Sequence, residues 1–96
     1  MVIRVGKKWD KNAIYIGRGS PLGNIFVMKD ESERDMVCDA YEIWFNEKVK
    51  QNDPSVMQEL RRLYKLAKQS DIVLGCYCSP KRCHGDTIKK FLDSYI

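Results

Sequence analysis

The segment IVLGCYC, at residues 72–78, constrains the fold of this chain more than any other stretch. Its apolar residues are consecutive instead of alternating with polar ones, which is typical of a strand buried on both faces. Such strands occur in parallel sheets that are covered by helices. Gly75 inside the strand indicates either a bulge or the close approach of another backbone segment. The pattern therefore predicts an α/β domain built around this strand.

Two shorter strands are predicted in the first part of the chain. VIRV (2–5) and AIYIG (13–17) are apolar and β-branched, and the GKKWDKN stretch between them is rich in turn residues. A further segment, IFVM (25–28), is interpreted either as another strand or as an extended segment that crosses the end of the sheet.

The first helix is expected to begin near Ser32. Ser32 with Asp35 resembles a capping box, and Asp30 with Glu33 offers an alternative cap. Apolar residues then recur at helical spacing and predict a core-facing side. These residues are Val37, Ala40, Tyr41 and Trp44.

Two more helices follow. Asp53 before Pro54 indicates the start of the second, because proline is well tolerated in a first helical turn. Its apolar stripe comprises Val56, Leu60, Leu63, Tyr64 and Ala67. Asp86 is predicted to cap the last helix, whose inward residues are expected to be Ile88, Phe91, Leu92 and Tyr95. The whole chain, residues 1–96, is thus predicted to be a single α/β domain with a small Rossmann-like sheet, mixed or parallel, flanked by three helices.

Composition limits the classes of function. Hydrophobic residues make up 44% of the chain, which indicates a folded globule and not a disordered tail. The formal net charge of +4 suits a ligand that carries phosphate, although proteins that coat DNA are usually more basic. No segment is apolar enough to predict a signal peptide or a membrane span. We therefore expect a cytoplasmic protein without a membrane partner, in which thiols stay reduced.

Two loops are predicted to form one site. GRGSPLGN (17–24) follows the second strand and CSPKRCHGD (78–86) follows the last one, so parallel neighbours would place both at the same sheet edge. Arg18 can pair with a phosphate, and Ser20 and Asn24 can form hydrogen bonds. Glycine allows a backbone to approach a ligand closely, although a plain turn is the alternative. The glycines of this loop are Gly17, Gly19 and Gly23.

The second loop precedes the N-terminus of the last helix, which favours an anion. Lys81 and Arg82 add positive charge, and Arg34 at the start of the first helix could reach the same site. Asp86 would repel a phosphate there, so it is interpreted as a cap or as a partner for a sugar hydroxyl.

The cysteines and the single histidine admit three interpretations. A zinc site would use Cys76, Cys78, Cys83 and His84, but the adjacent Cys83 and His84 could not easily reach one ion, so no metal is expected. A reactive thiol at Cys78 or Cys83 is the second interpretation, because a neighbouring histidine, arginine and helix N-terminus lower a thiol pKa. Packing beneath the site is the third, and Cys38 is expected to be a core residue.

The segments IYIGRGSPLGNIF, ERDMVCDAYEIWF and LGCYCSPKRCHGDTIKKFL resemble the DUF4326 family, a domain of unknown function from bacteria and their phages. The family pattern is similar: G-R-x-S-P-L-G-N-P-F, a helix with a Y-x-x-W-like step, and C-x-C-x-P-x-x-C-H-G-D. The resemblance runs from about Ala13 to Leu92, and Ile25 stands where the family often has proline. It implies no reaction. The matching positions are Gly17, Arg18, Ser20, Gly23, Asn24, Cys76, Cys78, Cys83, His84, Gly85 and Asp86.

The sequence therefore predicts a nucleotide-binding protein that holds a phosphate or ribose phosphate between the two loops, without a cofactor. A phage could use such a protein as a sponge against a nucleotide immune signal in the host cytoplasm. One alternative is an enzyme that cleaves a glycosidic or phosphoester bond, with Cys83, His84 or Asp86 as the catalytic group. Another is a small zinc module for nucleic acid or protein, and a homo-oligomer is compatible with all three. The predicted ligand-binding residues are Gly17, Arg18, Gly19, Ser20, Gly23, Asn24, Arg34, Cys78, Lys81, Arg82, Cys83, His84, Gly85 and Asp86.

Overall fold

The computed structural model describes residues 2–77 and 81–95. In chain order the elements are β1 (Ile3–Lys7), β2 (Ala13–Tyr15), a short 3-10 helix (Glu31–Glu33), α1 (Arg34–Lys50), α2 (Pro54–Gln69), β3 (Ile72–Cys76) and α3 (Gly85–Asp93). Within these ranges no helix combines the length and the apolar character that a membrane span requires.

The sheet has three parallel strands in the order β1-β3-β2. In β1, Ile3 lies opposite Ile72 of β3, whereas in β2 Ala13 lies opposite Val73. All five residues of β3 are buried, as its continuous apolar run predicts. The parallel form of the sheet is confirmed, and the carboxyl ends of β2 and β3 point to the same edge.

The connection between β1 and β2 crosses the face of the central strand. These two strands lie on opposite sides of β3, although only residues 8–12 separate them. Parallel crossovers usually need about a dozen residues or more. A Cβ atom at Gly75 would lie 3.0 Å from Lys8 Cα and 3.1 Å from Ala13 Cβ. Gly75 therefore marks the close approach of another backbone segment, and the short crossover depends on its missing side chain.

The start of the first helical segment agrees with one of the two predicted caps. The Asp30 carboxylate accepts a hydrogen bond of 2.9 Å from the Ser32 backbone N–H, which opens the 3-10 turn before α1. The prediction of a cap at Ser32 is wrong, because the helical turn begins one residue before it. A strand at residues 25–28 is also wrong, since no strand forms there.

The buried side of α1 differs from the predicted one in part. Val37 and Tyr41 are buried as expected, but the other buried residues are Cys38 and Phe45. The Phe45 ring packs edge-to-face on Phe91 of α3, with their centroids 5.5 Å apart. The predicted Ala40 and Trp44 are only half-buried, because this packing turns the helix towards Cys38 and Phe45.

The other two helices follow the sequence more closely. Asp53 caps α2 by accepting a hydrogen bond of 3.1 Å from Val56 N–H, and Pro54 occupies its first turn, as predicted. In α3 the cap prediction is wrong, because His84 is the N-cap residue and Asp86 lies inside the first turn. The Asp86 carboxylate reaches back to the Cys83 backbone N–H at 3.1 Å. Tyr95 lies beyond the end of α3 and is exposed instead of inward-facing.

Candidate functional site

A pocket of about 320 Å³ lies at the carboxyl edge of the sheet, between the loops that follow β2 and β3. Of the predicted ligand-binding residues, it is lined by Gly17, Arg18, Asn24, Arg34, Arg82, Cys83 and His84. The structure thus brings both loops to one site. A second, more open depression beside it is lined by Arg18, Gly19, Ser20, Gly23, Asn24 and Ile25.

A buried histidine joins the two loops. His84 Nε2 lies 2.7 Å from the Ile16 carbonyl oxygen, just after β2. Because a carbonyl only accepts hydrogen bonds, Nε2 is the donor of this bond. Nδ1 lies 3.4 Å from the Cys83 sulfur, within hydrogen-bond distance of the thiol. The Tyr41 ring packs against the imidazole edge, with centroids 5.0 Å apart, so the orientation of His84 is fixed on several sides.

The glycine-rich loop folds upon itself. The Ser20 hydroxyl donates a hydrogen bond of 2.7 Å to the Gly17 carbonyl, which also accepts from the Ser20 backbone N–H at 3.1 Å. A Cβ atom at Gly23 would lie 2.4 Å from the same Gly17 oxygen, so the loop closes only because residue 23 is glycine. The hydroxyl hydrogen of Ser20 is therefore used within the turn.

The side-chain oxygen of Asn24 forms a hydrogen bond within the loop. Its Oδ1 accepts a hydrogen bond of 2.8 Å from Phe26 N–H, in an Asx-type turn. Its amide nitrogen has no partner among residues 2–77 and 81–95, and Asn24 lines both the pocket and the depression. Asn24 can therefore offer two N–H donors to a ligand.

Two of the three pocket arginines are held by acidic side chains. Arg34 donates to both carboxylate oxygens of Glu31, at 2.8 and 2.7 Å. Arg82 pairs with Asp39 at 2.7 Å and with Asp35 at 3.0 Å, and these hydrogen bonds raise the pKa of its guanidinium. Their charges are therefore largely balanced within the protein.

Arg18 differs from these two arginines. It is exposed and lines both the pocket and the depression, and it forms no ion pair with any acidic residue in the described part of the chain. Arg18 is consequently the pocket cation best placed to meet an anionic ligand.

Three predicted site residues contact the protein and not the pocket. Lys81 donates to Glu31 at 3.1 Å, and hydrogen bonds from Arg34 and Lys81 lower the pKa of Glu31 to about 2. A Cβ atom at Gly85 would lie 2.9 Å from Ile16 Cδ1, so Gly85 lets α3 start close to the sheet. Asp86 is exposed, and its carboxylate binds the Cys83 backbone N–H.

Two buried thiols form the floor of the pocket. Cys76 Sγ and Cys83 Sγ lie 2.7 Å apart, and Gly85 N–H donates to the Cys83 sulfur at 3.4 Å. His84 Nδ1 and the Gly85 N–H both contact the sulfur of Cys83, which is buried just before the N-terminus of α3. Within the ranges that the structure describes, no three histidine, cysteine or acidic side chains are arranged to hold a metal. Cys78, a predicted ligand of the zinc alternative, lies outside the described residues.

Half of the residues that line the pocket are not among the ligand-binding residues predicted from the sequence. The additional lining residues are Tyr15, Phe26, Met28, Val37, Cys38, Cys76 and Tyr77. A signal was present in IFVM, where Phe26 and Met28 line the pocket while Ile25 and Val27 are exposed. This alternation agrees with the second interpretation of residues 25–28 as an extended segment at the end of the sheet. Cys38 is buried as expected and also contributes to the pocket.

Comparison with known protein families assigns the chain to one of them. The profile described as Domain of unknown function (DUF4326) matches residues 3–94. The chain belongs to this family. Neither the curated proteins nor the solved structures compared with it gave a match. In this DUF4326 protein, the end of β2 and the start of α3 meet at the Ile16–His84 hydrogen bond.

Proposed function

We propose that this DUF4326 protein binds a nucleotide-like small molecule and holds its phosphate at Arg18. The observation that carries the proposal is the position of Arg18, a cation with no acidic partner in the described ranges, beside an aromatic wall. A guanidinium recognises phosphate oxygens through charge-assisted hydrogen bonds. Tyr15, Phe26 and Tyr77 line the same pocket and are side chains of the kind that pack against a base.

The dimensions of the pocket narrow the ligand class. Its volume of about 320 Å³ is at the lower end of the range of about 300–1,000 Å³ that is typical of small-molecule sites. A mononucleotide therefore fits the proposal better than a dinucleotide. A Rossmann-like relationship of the small parallel sheet would agree with it, because nucleotide sites of such folds lie at the carboxyl ends of strands.

Binding without turnover is the version that the site supports best. His84 Nε2 is occupied by the Ile16 carbonyl, and Asp86 lies outside the pocket, so neither Nε2 nor the Asp86 carboxylate is presented to a ligand as an acid or base. A protein of this kind would sequester its ligand, and capture of a nucleotide signal by a phage protein is one use of that property.

A single observation favours the enzyme as a second candidate. Cys83 lines the pocket, and its sulfur contacts both His84 Nδ1 and Gly85 N–H at 3.4 Å. In this candidate reaction, the Cys83 thiol proton would pass to His84 Nδ1 while the sulfur attacks C1′ of the nucleotide, forming a C–S bond and breaking the glycosidic bond. The base would leave with that proton, and water would then hydrolyse the ribosyl–cysteine adduct and restore the thiol. Chromatography and mass spectrometry of a nucleotide after incubation with the protein distinguish this candidate from simple binding.

Calorimetry with a panel of nucleoside monophosphates, cyclic mononucleotides and ADP-ribose tests the proposal. We expect Arg18→Ala to weaken the binding ligand by about tenfold to a hundredfold, equivalent to about 1.5–3 kcal/mol. Arg61→Ala is the matched control, because Arg61 is an exposed arginine on α2. The proposal fails if no member of the panel binds, or if the two variants bind the ligand equally.

A further inference from the structure

An exposed cluster of aromatic and basic side chains lies next to the pocket. Trp9 is 68% exposed and Tyr77 is 59% exposed, and their ring centroids are 6.1 Å apart. The planes are tilted by 57°, so the rings do not stack on each other. Two large aromatic side chains thus present ring surface to solvent side by side, which is the usual property of a binding surface.

Two lysines lie among these rings. Lys7 Nζ is 5.8 Å from the Trp9 ring centroid and donates to the Tyr77 carbonyl at 3.0 Å. Lys8 Nζ is 4.9 Å from the Tyr15 ring centroid and 5.6 Å from that of Tyr77. We call this set, Lys7, Lys8, Trp9, Tyr15 and Tyr77, the aromatic–basic platform.

The positive charge of the platform is not cancelled by acidic neighbours. Among the ion pairs of the described residues, none involves Lys7 or Lys8. Asp10, an acidic residue of the same turn, accepts a hydrogen bond from the Lys7 backbone N–H and pairs with Arg4 at 3.6 Å. Both ammonium groups donate to neutral oxygens of Tyr77, Lys7 to the carbonyl and Lys8 to the hydroxyl at 3.2 Å, so their positive charge stays uncompensated and their remaining N–H donors can meet a polyanion.

We propose that the aromatic–basic platform binds single-stranded nucleic acid. Bases would stack on Trp9 and Tyr77, and the phosphates between them would pair with Lys7 and Lys8. Alternating rings and cations are the arrangement that binds single strands without reading their sequence, because every base has a stacking face. In a duplex the bases are paired and stacked inside the helix. A duplex therefore offers phosphates to the lysines but no free base faces to the rings.

The platform is continuous with the pocket, because Tyr15 and Tyr77 belong to both. A strand on the platform can therefore place its terminal nucleotide in the pocket beside Arg18. This second step rests on the proposed function, whereas binding on Trp9 and the lysines does not.

Fluorescence anisotropy with a labelled ten-residue oligothymidylate tests the platform directly. We expect the single strand to bind more tightly than its duplex, and Trp9→Ala to weaken it by about tenfold or more. Lys7→Ala and Lys8→Ala should each lower the slope of log affinity against log salt by about 0.7. Tyr95→Ala and Lys65→Ala are matched controls, because both residues are exposed and lie outside the platform.

The possible outcomes separate the two proposals. Loss of oligonucleotide binding in Trp9→Ala, with mononucleotide binding retained, supports the platform. If wild-type protein does not bind the oligonucleotide, or if Trp9→Ala and Tyr95→Ala bind it equally, the platform proposal is overturned while the mononucleotide pocket can still stand. A change confined to the self-association of Trp9→Ala would also overturn it, in favour of a second copy as the occupant. The lysine variants keep the test decisive if Trp9→Ala does not fold.

Discussion

His84 Nε2 donates a hydrogen bond to the carbonyl oxygen of Ile16, and this bond of 2.7 Å connects the N-terminus of α3 with the end of β2. Both groups are buried, so neither exchanges its partner for water at low cost. The histidine thus fixes the distance between the two loops that line the pocket. His84 is therefore a structural part of the site.

Replacing this histidine should destabilise the fold. His84→Ala leaves the buried Ile16 carbonyl without its donor and opens a void beside Tyr41. We expect a loss of about 3 kcal/mol in the free energy of unfolding, measured by urea denaturation. Lys90→Ala, on the exposed side of α3, serves as the control. A loss below about 0.5 kcal/mol would contradict the bridging role.

Stability should fall at alkaline pH because of Tyr41. Its hydroxyl donates a hydrogen bond of 2.7 Å to the Leu22 carbonyl, and burial raises its pKa above the usual value of 10.0. Above that value the unfolded chain loses this proton while the folded chain retains it, so stability decreases as pH rises. Urea titrations between about pH 8 and pH 11 should show a shallower decline for Tyr41→Phe than for wild type. Near neutral pH the same variant should be about 1–2 kcal/mol less stable. Parallel declines would refute the assignment.

The two glycines of the first loop should respond differently to alanine. In Gly23→Ala the new methyl group meets backbone, 2.4 Å from the Gly17 oxygen, so the loop must move and ligand affinity should fall by at least about tenfold. Gly19 has a φ of 90° with nothing within 4 Å, so Gly19→Ala should cost about 1–2 kcal/mol of stability with less effect on binding. Calorimetry combined with thermal unfolding measures both effects. Equal affinities in the two variants would argue against a constrained loop.

Acid should loosen the contact between the second loop and the start of α1. Glu31 accepts hydrogen bonds from Arg34 and Lys81, which lower its pKa to about 2. The stabilising contact is therefore complete above the usual value of 4.5 and is lost as pH falls through about 2. The pKa of Glu31, measured by NMR titration of its carboxyl carbon, should rise towards the usual value in Arg34→Gln and rise less in Lys81→Gln. An unchanged midpoint in Arg34→Gln would contradict this pairing, and added salt should weaken it because the groups are exposed.

Much of the fold could be predicted because its signals are local. The apolar run of β3 and the Asp53–Pro54 start of α2 each determine their own element. The buried side of α1 could not be fixed in the same way, because cysteine and alanine are both compatible with a core or a half-buried position. The rotation of that helix is determined by tertiary contacts, such as those of Phe45 with Phe91 and of Tyr41 with His84.

The meeting of the two loops at one pocket could be predicted, because both loops follow parallel strands. The ion pairs that neutralise pocket arginines could not, because their partners are distant in the sequence. In the sequence, Arg82 and Arg18 look alike, because each is an arginine in a loop that follows a strand. In the structure, however, Arg82 pairs with Asp35 and Asp39 on α1. The aromatic–basic platform was missed because its members come from three separate segments. Residues 7–9 and Tyr15 lie near Tyr77 because β3 pairs with both β1 and β2, and this strand order is not visible in the sequence.

The central position of β3 sets the moment at which this chain can fold during synthesis. Both edge strands are translated early, yet each forms its ladder only with a strand that ends at Cys76. Ile3 can pair in the sheet only after Ile72 has been synthesised. Contacts between residues so far apart in the sequence also slow folding. A nascent chain released after Gln69 would contain two strands and two long helices but no sheet. The ribosome must therefore synthesise the chain through Cys76 before the described sheet can form, and termination before that point leaves β1 and β2 unpaired and exposed to aggregation.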